Sequence, residues 1–223
     1  MMDKFLFMVK HVEESTHYNS QKIIGSKKTH ITMSWAQTMD GVMGDDGPIQ
    51  ISSSTAMEMT HGMRSMHDGI IVGINTVILD NPKLNCRTNL GTVKHPQVIV
   101  MDSSGRIPMD SYLMQNSNPI IVYQNDNANI QKLKAKEIRC WHCPNLQALI
   151  DQLFEFGIKS AMVEGGPTVL RSFLPFSDLF VVTIGKKLIG KGKRIDIELD
   201  LVDSTVLNWK DELVIIKQSG SIE

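Results

Sequence analysis

Residues Ile158 to Leu174 read IKSAMVEGGPTVLRSFL. Ser160 to Val163 is a short apolar run of strand length, Glu164-Gly165-Gly166 a tight turn, and Pro167 opens a helix that stops at Leu174-Pro175. Proline suits a first helical position, because its missing N–H had no partner there and its φ is already helical. A strand-turn-helix corner of this kind is expected to aim backbone N–H groups, from Gly166 and from Thr168 to Leu170, at one point beyond the sheet. Phosphate or pyrophosphate is the natural guest there. Paired glycines let a ligand approach the backbone, and Glu164 sets a carboxylate at the same mouth. The string also suits an ordinary strand-to-helix connection, since Gly-Gly is a weaker signal than a full dinucleotide fingerprint.

The flanking sequence places this corner in an α/β domain. Upstream, Ile31, Met33 and Trp35 alternate with Thr32, Ser34 and Ala36, the period of two that marks a strand. Asp40-Gly41 and Gly44-Asp45-Asp46-Gly47-Pro48 break the chain into a loop. Thr55 to Glu58 fits a capping box, so a helix is expected from there to about Met66, with His61 and Arg64 on one face. Asp68 to Gly73 is an apolar run bounded by glycine, as expected of a strand covered on both faces. Ile74 to Arg87 reads as a polar connection after that strand's carboxyl end, where open α/β sheets bind ligands. Further strands are expected at Gln97–Met101, Pro119–Tyr123, near Ile138 and at Asp178–Leu188, with helices at Asn129–Lys136 and Leu146–Phe156. Gly190 to Lys193 reads as a basic loop. Thr205–Trp209 and Glu212–Lys217 suit an antiparallel hairpin at one sheet edge. The expected fold is therefore a mixed, mostly parallel sheet flanked by helices, in one domain over 29–223. Residues 1–28 stand apart as an N-terminal extension whose apolar start suits a short amphipathic helix.

Composition narrows the function. The 223 residues carry a formal net charge of −1, which gives no global attraction to nucleic acid or anionic membrane, so any anion site must be local. No apolar run approaches the ~18 residues of a membrane span, and the N-terminus lacks the pattern of a signal peptide. Three cysteines argue against a secreted disulfide framework and for a reducing cytosol. Cys140-Trp141-His142-Cys143 has the spacing of a redox pair or half a zinc site, but no second ligand pair accompanies it, so ordinary packing is expected and no metal. The zinc-deaminase signature, the G-x-S-x-G elbow, the Walker A loop and H-E-x-x-H are all missing from the sequence. What remains are polar groups at strand ends, Asp40, Thr76, Asp80, Arg87, Ser103 and Glu164, with Arg64 on a helix. They suit a phosphorylated, hydroxyl-rich ligand better than a hydrolytic triad.

Four stretches in order, TMSWAQTMDG (32–41), HGMRSMHDGIIVG (61–73), NTVILDNPKLNCR (75–87) and MVEGGPTVL (162–170), resemble the reductases of riboflavin biosynthesis. The likeness is to the stand-alone fungal and archaeal type, the 2,5-diamino-6-ribosylamino-4(3H)-pyrimidinone 5′-phosphate reductases, and extends to the C-terminal reductase domain of the bacterial bifunctional deaminase-reductases. The resemblance implies a dihydrofolate-reductase-like fold, NADPH as cofactor with NADH as the alternative, a homodimer and a cytoplasmic enzyme. It also implies cofactor contacts at Ala36, Thr76, Asp80, Ser103, Gly165, Gly166, Pro167 and Thr168. Substrate contacts are implied at Arg64, Lys83, Leu84, Arg87 and Glu164, the two arginines toward the 5′-phosphate, which a guanidinium fork binds bidentately. Glu164 is the residue expected to orient the ribose or assist proton transfer. Bacterial relatives carry lysine where this chain has Ser34 and tryptophan where it has Gln50, so those roles do not transfer. A pterin or folate reductase of the same fold, and a non-catalytic nucleotide-binding protein, are the alternative readings.

Overall fold

Alternation in the first strand means that its two faces meet different neighbours. In the computed structural model, which describes residues 28–44, 50–87, 94–195, 197, 202, 204–209 and 212–218, β1 runs His30–Thr38. Ile31, Met33 and Trp35 join the core beneath one face of the sheet. Thr32, Ser34 and Ala36 turn to the other, where the helix α1 (Ser54–Met66) packs through Met59 and Met63. Of the extension over 1–28 only Lys28 is among the described residues, its ammonium 3.2 Å from the Asp178 carboxylate, and the expected helix lies outside them.

The remaining elements follow in chain order as β2 (Val42–Gly44), α1, β3 (Gly69–Gly73), α2 (Ile74–Asp80), β4 (Gln97–Met101), α3 (Tyr112–Asn116) and β5 (Ile120–Tyr123). Then come α4 (Ala128–Ala135), β6 (Cys140–His142), α5 (Leu146–Glu155), β7 (Ser160–Glu164), α6 (Pro167–Phe173), a 3₁₀ turn at Leu174–Phe176, β8 (Leu179–Gly185) and β9 (Lys193–Arg194). The hairpin β10 (Thr205–Trp209) and β11 (Glu212–Gln218) ends the fold. Nine strands form one sheet in the order β10-β11-β8-β1-β7-β3-β4-β5-β6. From β8 to β6 every pairing is parallel, and the terminal hairpin adds antiparallel to β8. This is the mixed, mostly parallel sheet that the apolar runs and the terminal hairpin imply. Parallel strands bury both faces and therefore read as continuous apolar runs, as Gly69–Gly73 and Ile120–Tyr123 do, every residue buried.

Several local expectations are corrected. The cap of α1 is Ser53, whose hydroxyl accepts from the Ala56 N–H at 3.3 Å, not Thr55 with Glu58. The Ser52-Ser53-Ser54-Thr55 run offers four equivalent caps, and the buried Glu212 carboxylate on β11 chooses among them by accepting from both the N–H and the hydroxyl of Ser53. Ile74–Asp80 is a helix and not a connection. Ile74 and Val77 bury one stripe, and Asn81 closes the helix at φ 41° with its N–H on the Val77 carbonyl. The strand expected near Ile138 begins at Cys140, because the Ile138 N–H still closes the last turn of α4 on Leu133. The basic loop is partly a strand: β9 pairs with β2, and the Asp40 carboxylate holds the Ile189 and Gly190 amides beside it.

Candidate active site

Parallel strands end together, so the loops after β3, β4, β5 and β7 gather at one edge of the sheet. They line a cleft of about 1060 Å³ whose walls include Thr76, Leu79, Asp80, Leu84, Asp102, Ser103, Arg106 and the Glu164–Thr168 corner, with Met43, Gly44 and Lys193 of the β2/β9 flap on one side. A second pocket of about 330 Å³ lies against β1 and β8 and is lined by Ser34, Trp35, Ala36, Met43, Gln50, Ile51, Ser52, Met57, Thr60, Glu164, Gly165 and Thr183. The smaller volume lies near the bottom of the ~300–1,000 Å³ usual for ligand sites and the larger at its top. They share Met43, Glu164 and Gly165. Ligands in the two cavities would therefore meet at the carboxylate of Glu164.

Glu164 is held there by Arg64. The arginine Nε and Nη2 each lie 2.7 Å from a different carboxylate oxygen, and Nη1 donates to the Asn85 carbonyl at 3.2 Å. Burial works against the guanidinium charge, but the Glu164 carboxylate outweighs it and the Arg64 pKa ends above its usual value. His61, one turn earlier on α1, shares the Asn85 carbonyl at 3.0 Å, which makes Nδ1 the protonated nitrogen of a neutral ring. Burial first and the Arg64 charge second push its pKa down. One helix face therefore ties β7 to the 81–87 loop, whose Asn81 and Leu84 both adopt positive φ. A left-handed leucine is costly and occurs where the surroundings impose it.

The diglycine corner is shaped by close packing on one side and openness on the other. A Cβ at Gly73 would lie 2.6 Å from Val169, whereas one at Gly166 would meet nothing within 4 Å. The Val169 and Leu170 amides fold back onto the Gly166 carbonyl at 3.1 and 3.2 Å, so these two of the expected corner donors are already used. The turn after β4 is built by Asp102, whose Oδ2 accepts from the Ile107 N–H at 2.8 Å while its buried Oδ1 has no partner among the described residues.

Of the expected site residues, the large cleft gathers Arg64, Thr76, Asp80, Leu84, Ser103, Glu164, Gly165, Gly166, Pro167 and Thr168. Ala36 falls in the small pocket. Lys83 and Arg87 line neither cavity: the Lys83 ammonium sits 5.4 Å from the Tyr112 ring centre, and Arg87 is exposed, its charge felt by His61. Sequence reasoning missed Thr60, Met57 and Thr183, although the i, i+3, i+7 spacing of Met57, Thr60 and Arg64 and the alternation of β8 carry the signal. In the Cys140–Cys143 segment, burial pushes the Cys143 thiol up to about 11 and raises that of Cys140, the opposite of an activated thiolate. Among the described residues there is no group of three metal-ligating side chains and no helix long and apolar enough to cross a membrane.

Known proteins resemble this chain in sequence and in fold. Riboflavin biosynthesis protein RibD of Aquifex aeolicus is 31% identical over 208 residues, an alignment covering 86% of this chain and 58% of that protein's length. The 2,5-diamino-6-ribosylamino-4(3H)-pyrimidinone 5′-phosphate reductase of Debaryomyces hansenii is 30% identical over 198 residues, 74% of this chain and 78% of its own. The solved structure of the Saccharomyces cerevisiae riboflavin biosynthesis reductase Rib7 superposes with a TM-score of 0.72 at 24% identity, over 90% of this chain and 94% of that one. Dihydrofolate reductase from Enterococcus faecalis, complexed with NADP(H), shares the fold more distantly, with a TM-score of 0.50 at 13% identity over 86% of this chain and 99% of its own. The family model of the RibD C-terminal domain matches residues 29–214, which takes in both cavities and the strands between them. With the sheet order, the diglycine corner and that match in agreement, the chain belongs to the RibD C-terminal domain family.

Proposed function

We propose that the chain reduces the ribosyl side chain of 2,5-diamino-6-ribosylamino-4(3H)-pyrimidinone 5′-phosphate to the ribitylamino product, using NADPH, as a homodimer in the cytoplasm. The observation that carries this reading is the meeting of a long cleft and a smaller pocket at one carboxylate, Glu164. Such a layout suits a two-ligand reaction in which the reacting atoms face each other at the junction. The name of the Debaryomyces hansenii relative supplies the substrate.

The residues of the large cleft fit a dinucleotide. Gly166 faces open space on the side where a phosphate would approach, and the orphaned Oδ1 of Asp102 is an acceptor suited to a ribose hydroxyl. Thr76, Asp80 and Ser103 line the same wall, and Arg106, beside Ser103 and Ser104, is the cation suited to a 2′-phosphate. When bound, the cofactor supplies the hydride. The chain's own groups do the rest. Glu164 orients the ribosyl hydroxyls and holds or receives the proton that moves as the sugar ring opens to the imine that is reduced at C1′. Arg64 fixes the carboxylate in place, and the β2/β9 flap limits access of water. Arg87 and Lys83, outside the cavity walls but on the 81–87 loop, are the cations left to meet the 5′-phosphate.

The test is loss of NADPH absorbance with purified protein and freshly made ribosylaminopyrimidine phosphate, with the product identified by mass and dihydrofolate as the competing substrate. Turnover of dihydrofolate alone would move the chain to the folate-reductase reading. Tight cofactor binding with turnover of neither would make it a nucleotide-binding protein.

A further inference from the structure

The sequence Thr38-Met39-Asp40-Gly41 ends β1 in a tight turn, with the Gly41 N–H on the Thr38 carbonyl at 2.9 Å and Gly41 at φ 80°. Asp40 lines neither cavity. Its carboxylate instead ties two distant stretches of chain together. Oδ1 accepts from the buried Thr38 hydroxyl at 2.6 Å, and that hydroxyl accepts in turn from the Val42 N–H at the start of β2. Oδ2 accepts from the Gly190 N–H at 2.6 Å, and the Ile189 N–H reaches both oxygens at 3.2 Å. Arg194 on β9 completes the clasp. Its Nε donates to the Asp40 carbonyl at 3.0 Å, and its Nη2 donates to the Gly190 carbonyl at 2.8 Å and lies 3.6 Å from the carboxylate. The Thr38 hydroxyl first and the Gly190 amide second hold the Asp40 pKa down to about 2, so the carboxylate stays ionised through the neutral range.

What the clasp holds in place is Met43. Among the described residues Met43, Glu164 and Gly165 border both cavities, and Met43 is the one carried by the flap. It packs on the core cluster that includes Trp35, which walls the small pocket. Two ligands meeting at Glu164 would have this side chain beside their point of contact, where hydride transfer needs close approach and the exclusion of water. We infer that Asp40 is a positioning residue of the reaction, its carboxylate setting the flap so that Met43 closes the junction of the two cavities. The kinetic consequence rests on the reaction proposed above, whereas the placement of Met43 stands on the geometry alone. Asp40 acts on the reacting atoms only through the flap.

The experiment is a double-variant cycle of Asp40→Asn and Met43→Ala, read in two ways. In steady state Asp40→Asn lowers kcat by roughly 10- to 100-fold, the cost of a misplaced contact, while KM for NADPH and for the pyrimidine each stay within about threefold. Met43→Ala lowers kcat in the same range, and Met43→Leu restores it to within about threefold. The double variant is no slower than the slower single one, since both changes remove the same placement. In a Trp141→Phe/Trp209→Phe background Trp35 is the remaining tryptophan, and acrylamide quenching of its emission reports on the pocket wall. Asp40→Asn raises the quenching constant about twofold or more and adds little once Met43 is alanine. Arg194→Ala, which keeps the carboxylate and its amide donors, moves both readouts the same way by a smaller factor and stands in where Asp40→Asn does not fold. Losses of kcat that multiply in the double variant, or a Trp35 no more accessible in Asp40→Asn or Arg194→Ala, overturn the inference. A wild type that turns over neither substrate removes the proposed reaction, and the quenching cycle then decides the placement of Met43 by itself.

Discussion

The Arg64 guanidinium grips both carboxylate oxygens of Glu164, at 2.7 Å each, across the junction of the two cavities. Their side chains are 12% and 18% exposed, so the pair is mostly withdrawn from water, and its geometry is the bidentate fork that only arginine forms. Arg64→Lys keeps the charge and loses the fork. It is expected to lower kcat by about tenfold or more through a misplaced carboxylate, with a smaller effect on stability than Arg64→Ala. Arg64→Ala leaves the carboxylate without its partner and should cost about 2–4 kcal/mol in urea unfolding.

Glu164→Gln separates positioning from proton transfer. The amide is the same size and still accepts from Arg64, but it cannot take up a proton. If the carboxylate carries the proton during ring opening, kcat falls by ~10²-fold or more and the acidic limb of the pH–rate profile disappears. Full turnover with an unchanged profile would leave Glu164 only an orienting part.

Two glycines of the site should respond oppositely to alanine. Gly166→Ala adds a methyl where the protein has room, at an ordinary φ of −77°, so the unfolding midpoint should hold while KM for NADPH rises several-fold. Gly73→Ala drives a Cβ into Val169 at 2.6 Å and should destabilise by about 1–3 kcal/mol before it affects the cofactor. Thermal unfolding alongside kinetics distinguishes them.

Arg106 lines the cleft beside Ser103 and, among the described residues, its side chain bonds Asn75, Nη2 to Oδ1 at 3.1 Å. Arg106→Ala is expected to weaken NADPH by about 10- to 100-fold, the value of a charged hydrogen bond, and to leave NADH nearly unchanged. Equal losses for both cofactors would place the 2′-phosphate elsewhere.

Acid should destabilise the protein through His30. Burial first holds its pKa down near 4, with the His67 and Lys28 charges acting in the same direction against an opposing Asp178, and neither ring nitrogen has a partner among the described residues. The unfolded chain takes up the proton near 6.5 and the folded one only near 4. The contribution of His30 is therefore whole above about pH 6.5 and is lost as the pH falls toward 4, on the order of 3 kcal/mol. Urea midpoints across this range should fall with pH, and a His30→Leu variant should show a shallower fall.

Strand positions were legible because β3, β4, β5 and β7 are buried on both faces, and such strands spell themselves as unbroken apolar runs. The diglycine corner was legible for a similar reason, since a turn between a strand and a Pro-initiated helix is local. Helix α2 was not, because Ile78 and Leu79 are exposed and blur the period of 3.6. The smaller pocket was hidden more deeply. Ser34, Met57, Thr60, Glu164 and Thr183 share it only because β8, β1 and β7 lie side by side, a neighbour relation across more than a hundred residues that no spacing announces. The placement of Lys83 and Arg87 outside the walls likewise depends on left-handed turns at Asn81 and Leu84.

The Glu212 carboxylate, which fixes the start of α1 from the strand β11, makes the terminal hairpin a hinge pin for the helix beside the small pocket. Met57 and Thr60, one side of the small pocket, hang from the helix that this pin seats. Clipping the chain short of β11 should therefore unseat that wall of the small pocket while leaving the strands that line the large cleft, so a shortened protein is expected to keep ligand binding in the cleft and lose it in the pocket.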